Sequence, residues 1–187
     1  VTESDLRRVF FALWPPEETL QALDALAADA AKRTGGRRMR RDSLHMTLVF
    51  IGSVSPSQLA LLQEIAGRVR GEAFDLLIDR LGCWPHNRIV WAGSSSVPSR
   101  QRRLFDALVA NLGEAGFVLD QRSIVPHVTL VRNGRCDNLP ELAQSIPWDV
   151  REFVLVESIL QPSEARYRLL DRWPLKAAHD KKISKGC

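Results

Sequence analysis

No apolar run in the 187-residue sequence approaches the roughly 20 residues needed to span a bilayer, so no membrane partner is expected. The opening "VTESDLRRVFFALW" has acids ahead of a short apolar run that meets "PPEE" at once, which is not a secretory pattern. Cysteine is scarce and odd in number: Cys83, Cys136 and Cys187 show no metal-type spacing. That usage fits a reducing, cytosolic compartment, with Cys83 a buried thiol and Cys187 on a tail. There is no G-x-S-x-G nucleophile elbow and no Walker phosphate loop, and nothing around Cys136 in "NGRCDN" makes it a nucleophile. Histidine and threonine are also few, four and five residues, and this scarcity makes their placement informative.

What is present is an ordinary globular balance, 45% hydrophobic and 26% charged, in a chain long enough for one well-cored domain or two small lobes sharing a core. The net charge of +4 says less than its distribution. "GGRRMRR" (35 to 41) packs four arginines together and "SRQRR" (99 to 103) three more. Such clusters are most often solvated faces, but they also suit a polyanion.

Residues 7 to 14 read as a strand closed by Pro15 and Pro16. Leu20, Leu23, Leu26 and Ala27 then recur at helical spacing until Gly35 and Gly36. A strand over 44 to 52 leads into a helix from about Pro56 to Arg70, with Ser55 as N-cap and Pro56 at its first position. Strands are expected at 73 to 81 and 88 to 93, with "WPHN" as a turn, and a helix at about 98 to 115 follows. Further strands are expected at 117 to 120, 124 to 131, about 150 to 160 and 166 to 173. This order predicts an α+β fold: a bilobal, pseudo-symmetric duplication in which two antiparallel sheets flank a central cleft, with helices on the outer faces. Residues 1 to 175 are expected to form that single domain, and the basic stretch 176 to 187 a frayed tail.

Two runs carry the chemistry, "HMTLVF" (45 to 50) and "HVTLVR" (127 to 132), 82 positions apart. On a strand His45, Thr47 and Val49 share one face, as do His127 and Thr129, while Met46, Leu48, Val128 and Leu130 pack away. With this composition, two His-x-Thr hits arise by chance with a probability of about 0.004. One such motif alone is more often a half-buried histidine satisfied by its threonine. Two of them point to a shared cleft.

Two imidazoles in one cleft suit in-line displacement at phosphorus, one ring acting as base and the other as acid. Thr47 and Thr129 can donate hydroxyls to the non-bridging oxygens. A zinc site wants three or four ligands, whereas each run supplies one, and His86 and His179 stand in unrelated contexts. The expectation is an acid/base site with no metal and no cofactor, and a bell-shaped pH profile near neutrality.

Phe50 and Arg132, five past each histidine, would point away from the cleft under strict alternation. A bulge or strong twist could swing both to its mouth, where they could hold a terminal base by stacking. Arg38, Arg40 and Arg41, with Arg37, are candidate contacts to an RNA backbone. Trp91 in "IVWAG" reads as core more readily than as a stacking platform, and Pro126 as a residue that aims its strand.

With these residues in view, the chain resembles the 2H phosphoesterases, in the branch of RNA 2′,3′-cyclic phosphodiesterases also called the 2′-5′ RNA ligase family. The resemblance runs from about Arg8 to Leu175 and rests on "VFFALWPPEE", "RRDSLHMTLVFIGSV", "RIVWAG", "IVPHVTLVR" and "YRLLDRWPL". The arginine-rich stretch 37 to 41 departs from the pattern. The resemblance implies metal-independent hydrolysis of RNA 2′,3′-cyclic phosphate ends to 2′-phosphates, with His45 as proton donor and His127 as proton acceptor. The near-symmetric motifs alone leave that direction open. The resemblance also implies reversible 2′-5′ joining of tRNA halves; a monomer in the cytoplasm is expected. Alternatives are a phosphodiesterase for small cyclic phosphates or 2′,5′-linked oligonucleotides, and a non-catalytic RNA-end binding module.

Overall fold

A computed structural model describes residues 5–119, 125–160 and 165–177. Among these the chain runs β1 (Arg7–Leu13), α1 (Glu17–Thr34), β2 (Arg37–Arg38), a 3₁₀ turn (Arg41–Ser43), β3 (Met46–Val54), α2 (Pro56–Arg68), β4 (Phe74–Ile78) and β5 (Arg80–Trp84). It continues with β6 (Ile89–Gly93), α3 (Ser99–Glu114), β7 (His127–Arg132), β8 (Ile146–Val150), β9 (Glu152–Leu160) and β10 (Ala165–Pro174).

Local chemistry sets the helix limits. Glu17 and Glu18 open α1 just after the proline pair, Lys32 and Arg33 lie in its last turn, and Gly35 ends it at φ 67°. Ser55 caps α2, with Pro56 following it, and Gln58 completes a reciprocal capping box. Losing that cap typically costs about 1 kcal/mol. Leu104, Leu108 and Leu112 form the buried stripe of α3.

The fold is α+β with two antiparallel sheets, as expected, but the strands are shared out differently. The main sheet has the order β10-β9-β1-β3-β7-β6-β5, with β2 also on β7, and the second sheet is the β4–β8 pair. The two motif strands meet at one residue pair, Met46 with Val128, so both halves of the molecule belong to one splayed sheet. On its core side α1 packs over β7 and β8, while α2 and α3 pack on each other and over β3. The largest buried side chains there include Phe11, Leu23, Leu44, Met46, Leu108, Trp148 and Phe153.

Phe117–Leu119 is not a strand, and the rest of that expected element lies outside the described residues. The long run at 73 to 81 is two strands, β4 and β5, and β8 was not anticipated. Of the tail, residues 178–187 lie outside the described residues. Lys176 belongs to the folded part: it accepts from Ala73 and donates to Gly71. Among the described residues no helix is long and apolar enough to cross a membrane.

The reading of Cys83 as a buried thiol is corrected. Cys83 is half-buried and bonded to Cys136, their Cα atoms 5.5 Å apart. The tip of the β5–β6 hairpin is tied to the chain leaving β7, because Arg88 donates to Asn133 and accepts from Gly134. That tie brings together two cysteines 53 residues apart.

Candidate active site

Neither motif strand alternates to its end. In the β1–β3 register Phe11 faces Val49 and Ala12 faces Thr47, which leaves Leu48 as a bulge. In the β6–β7 register Val90 faces Val131 and Trp91 faces Thr129, which leaves Leu130 as a bulge. The extra residue reverses the facing of the residues that follow it, in β3 as far as a second bulge at Ile51. Val49, expected on the histidine face, is therefore 3% exposed in the core, with Val131 in the matching place. Phe50 and Arg132 turn instead to the histidine side.

That side is a cavity of about 580 Å³, lined by both histidines, both threonines, Phe50 and Arg132. Arg8, Arg37, Arg40, Trp84, Ser158 and Tyr167 also line it, and among the described residues no aspartate or glutamate does. Four guanidinium groups without a carboxylate favour an anion. Among the described residues no cluster of three His, Cys, Asp or Glu side chains could hold a metal ion.

Each imidazole is held in the same way. The Nδ1 of His45 lies 2.8 Å from the Ser43 carbonyl, and the Nδ1 of His127 lies 2.8 Å from the Val125 carbonyl. A carbonyl can only accept, so Nδ1–H donates in both rings and Nε2 is left for substrate. Tryptophan, phenylalanine and tyrosine rings surround His45. Trp14 stacks on it with planes 3° apart, Phe10 lies 4.9 Å away and Tyr167 meets it edge-on at 4.8 Å. Trp84 abuts His127 edge-on at 4.5 Å.

This packing has an electrostatic cost for the charged rings. Burial, aided by the charges of His127 and Arg132, lowers the His45 pKa from 6.5 to about 4. Burial and the Arg132 charge also lower that of His127. Both backbone hydrogen bonds act the other way.

The arginine stretch divides. Arg37 and Arg40 reach the cavity, and Arg40 also holds Asp42, whose carboxyl it pulls below the usual range. Arg38 and Arg41 pair with Asp24 and Glu17 of α1. Trp91 is 7% exposed and outside the cavity lining; its ring lies so close over Gly82 that a Cβ there would sit 2.2 Å from it. Sequence reasoning did not single out Arg8, Trp14, Trp84, Ser158 or Tyr167. The available signals were the alternate positions 8, 10, 12 and 14 of the opening strand and the presence of a single tyrosine.

Residues 13–91 match the family described as LigT like Phosphoesterase. The RNA 2′,3′-cyclic phosphodiesterase of Escherichia coli is 32% identical over 173 residues, covering 92% of this chain and 98% of that protein. The enzyme of the same name from Thermus thermophilus is 28% identical over 193 residues, covering 96% of each. The crystal structure of E. coli LigT complexed with 3′-AMP superposes with a TM-score of 0.83 at 32% identity, covering 91% of this chain and 98% of that one. Near-complete coverage at this identity, on the same fold, makes the chain a member of the LigT-like phosphoesterases of the 2H superfamily.

Proposed function

We propose that this protein hydrolyses the 2′,3′-cyclic phosphate end of RNA to a 2′-phosphomonoester, using His45 and His127 as its acid/base pair and no metal. The observation carrying this reading is the pair of identically anchored imidazoles opening on one cavity lined by four arginines. The names of the relatives, and the 3′-AMP held by the E. coli structure, support an RNA-derived substrate.

The cyclic phosphate sits between the two rings, and Thr47 and Thr129 donate to its non-bridging oxygens. His127 Nε2 takes a proton from water as the water attacks phosphorus in line with the 3′-oxygen. The P–O3′ bond breaks, and His45 Nε2–H delivers a proton to the departing oxygen. Exchange with solvent resets both rings. A ribose hydroxyl in place of water would form a 2′-5′ bond between RNA halves, and the same two rings serve the reverse reaction. Phe50 and Arg132 hold the terminal base, and Arg40 with Arg37 meets the backbone beyond it. Arg37 and Arg40 line the cavity and Arg38 and Arg41 do not, which favours this narrower set.

The direct test incubates an RNA ending in a 2′,3′-cyclic phosphate with EDTA-treated protein and identifies the product. A 2′-phosphate is expected. A 3′-phosphate would reverse the assigned leaving oxygen, and activity lost in EDTA but restored by zinc or magnesium would refute the metal-free site. Binding of such ends without turnover would favour the non-catalytic module.

The pH profile follows from the two depressed imidazoles. The active form carries one proton on the pair, so it is populated between the two macroscopic pKa values. Both rings are shifted below 6.5, His45 to about 4. The bell in kcat/KM, which reports the free protein, is therefore expected on the acid side of neutrality and not at it. Bound phosphate favours the imidazolium, so the kcat bell should lie at higher pH than the kcat/KM bell. A kcat/KM profile centred above neutrality would contradict this.

A further inference from the structure

The cleft face of β1 carries Arg8, Phe10 and Ala12 at alternate positions. Phe10 lies beside His45, and Arg8 lies two residues further along, about 6.6 Å at the rise of a strand. The Arg8 guanidinium sits 4.9 Å over the Phe50 ring. Arg7 and Arg168, on the opposite face, both pair with the buried Glu157. Arg8 itself makes no ion pair among the described residues. The β1–β9 register ends at Val9 with Glu157; the next residue on each strand, Arg8 and Ser158, lines the cavity, and the Ser158 hydroxyl makes no hydrogen bond among the described residues. A cation and a hydroxyl thus line the cavity, displaced from the histidines toward Phe50, with no ion-pair or hydrogen-bond partner among the described residues.

We infer that Arg8 and Ser158 form a subsite for the phosphodiester on the 5′ side of the terminal nucleotide, so that the cleft recognises an RNA strand and not only its last nucleoside. This rests on the proposed function, with the cyclic phosphate between the histidines and the base at Phe50. The chain then leaves along β1. A diester presents two non-bridging oxygens and one charge, which a guanidinium and a hydroxyl match.

The test compares kcat/KM for three substrates: adenosine 2′,3′-cyclic phosphate, its 5′-phosphorylated form, and the dinucleotide that extends it by one 5′ adenosine. Wild type is expected to prefer the second and third over the first, and raising salt should erode that preference. Arg8→Gln should lower the preference ratio about tenfold, and Ser158→Ala by less. A ratio retained in Arg8→Gln, or a wild-type ratio indifferent to salt, would overturn the subsite. The salt measurement stands even if the variant fails to fold. A preference for the dinucleotide without one for the 5′-phosphate would assign the contact to the upstream base and also overturn it. If wild type turned over none of the three, the catalytic reading would fail separately, and the ratio would be read from binding affinities of the same compounds.

Discussion

Replacing His45 or His127 by alanine is expected to lower turnover of a cyclic-phosphate RNA end by about 10²-fold or more, and the double replacement to cost little beyond the worse single. Non-additivity follows if, as proposed, both rings act on one transition state; each is locked by its Nδ1–H on a carbonyl two residues back. Thr47→Ala and Thr129→Ala should cost less, since each removes one neutral donor. The direction of proton transfer is separable. A substrate with sulfur replacing the departing 3′-oxygen needs no proton on its leaving group, so it should rescue His45→Ala and not His127→Ala. Rescue of the opposite variant would exchange the two roles. A folded alanine variant at either position with near wild-type turnover would end the two-histidine mechanism.

Phe50→Ala and Arg132→Ala should each lose about 5- to 150-fold in kcat/KM on nucleotide substrates, the range of roughly 1–3 kcal/mol for a stacked base. Phe50 is 37% exposed, so its truncation should leave the melting temperature nearly unchanged. A large drop in melting temperature with little loss of activity would return Phe50 to a purely structural role. The control is a cyclic ribose phosphate without a base, on which Phe50→Ala should act like wild type. Arg132 carries a second signature. Its charge helps to depress both imidazoles, so Arg132→Ala should move the pH profile to higher pH, whereas Phe50→Ala should not. Equal losses on base-containing and base-free substrates would remove the base-holding role.

The site was legible where short-range pattern suffices. His45 and Thr47, like His127 and Thr129, are two residues apart, and a strand puts such residues on one face whatever lies beside it. Helix limits were legible for the same reason: the proline pair before α1, Gly35 after it and the Ser55 cap all act within a turn of themselves. The side on which Phe50 and Arg132 fall was undetermined, because a bulge is a mismatch between two strands and has no signature in one of them. Leu48 is a bulge only against β1, and Leu130 only against β6.

Longer-range pairing decided the rest. The identity of the aromatic wall around His45 depended on β1 lying beside β3 on one side and β9–β10 on the other, which brings Trp14, Phe10 and Tyr167 to one ring. The Cys83–Cys136 bond required the hairpin tip to meet the chain leaving β7, and the division of the arginines required α1 to present Asp24 and Glu17. The amino-acid sequence by itself determined which groups are proposed to do the chemistry, since residue type and a two-residue repeat are local properties. Only the tertiary structure decided how many protons they carry at a given pH, because desolvation depends on neighbours up to 122 positions away, the separation of His45 from Tyr167.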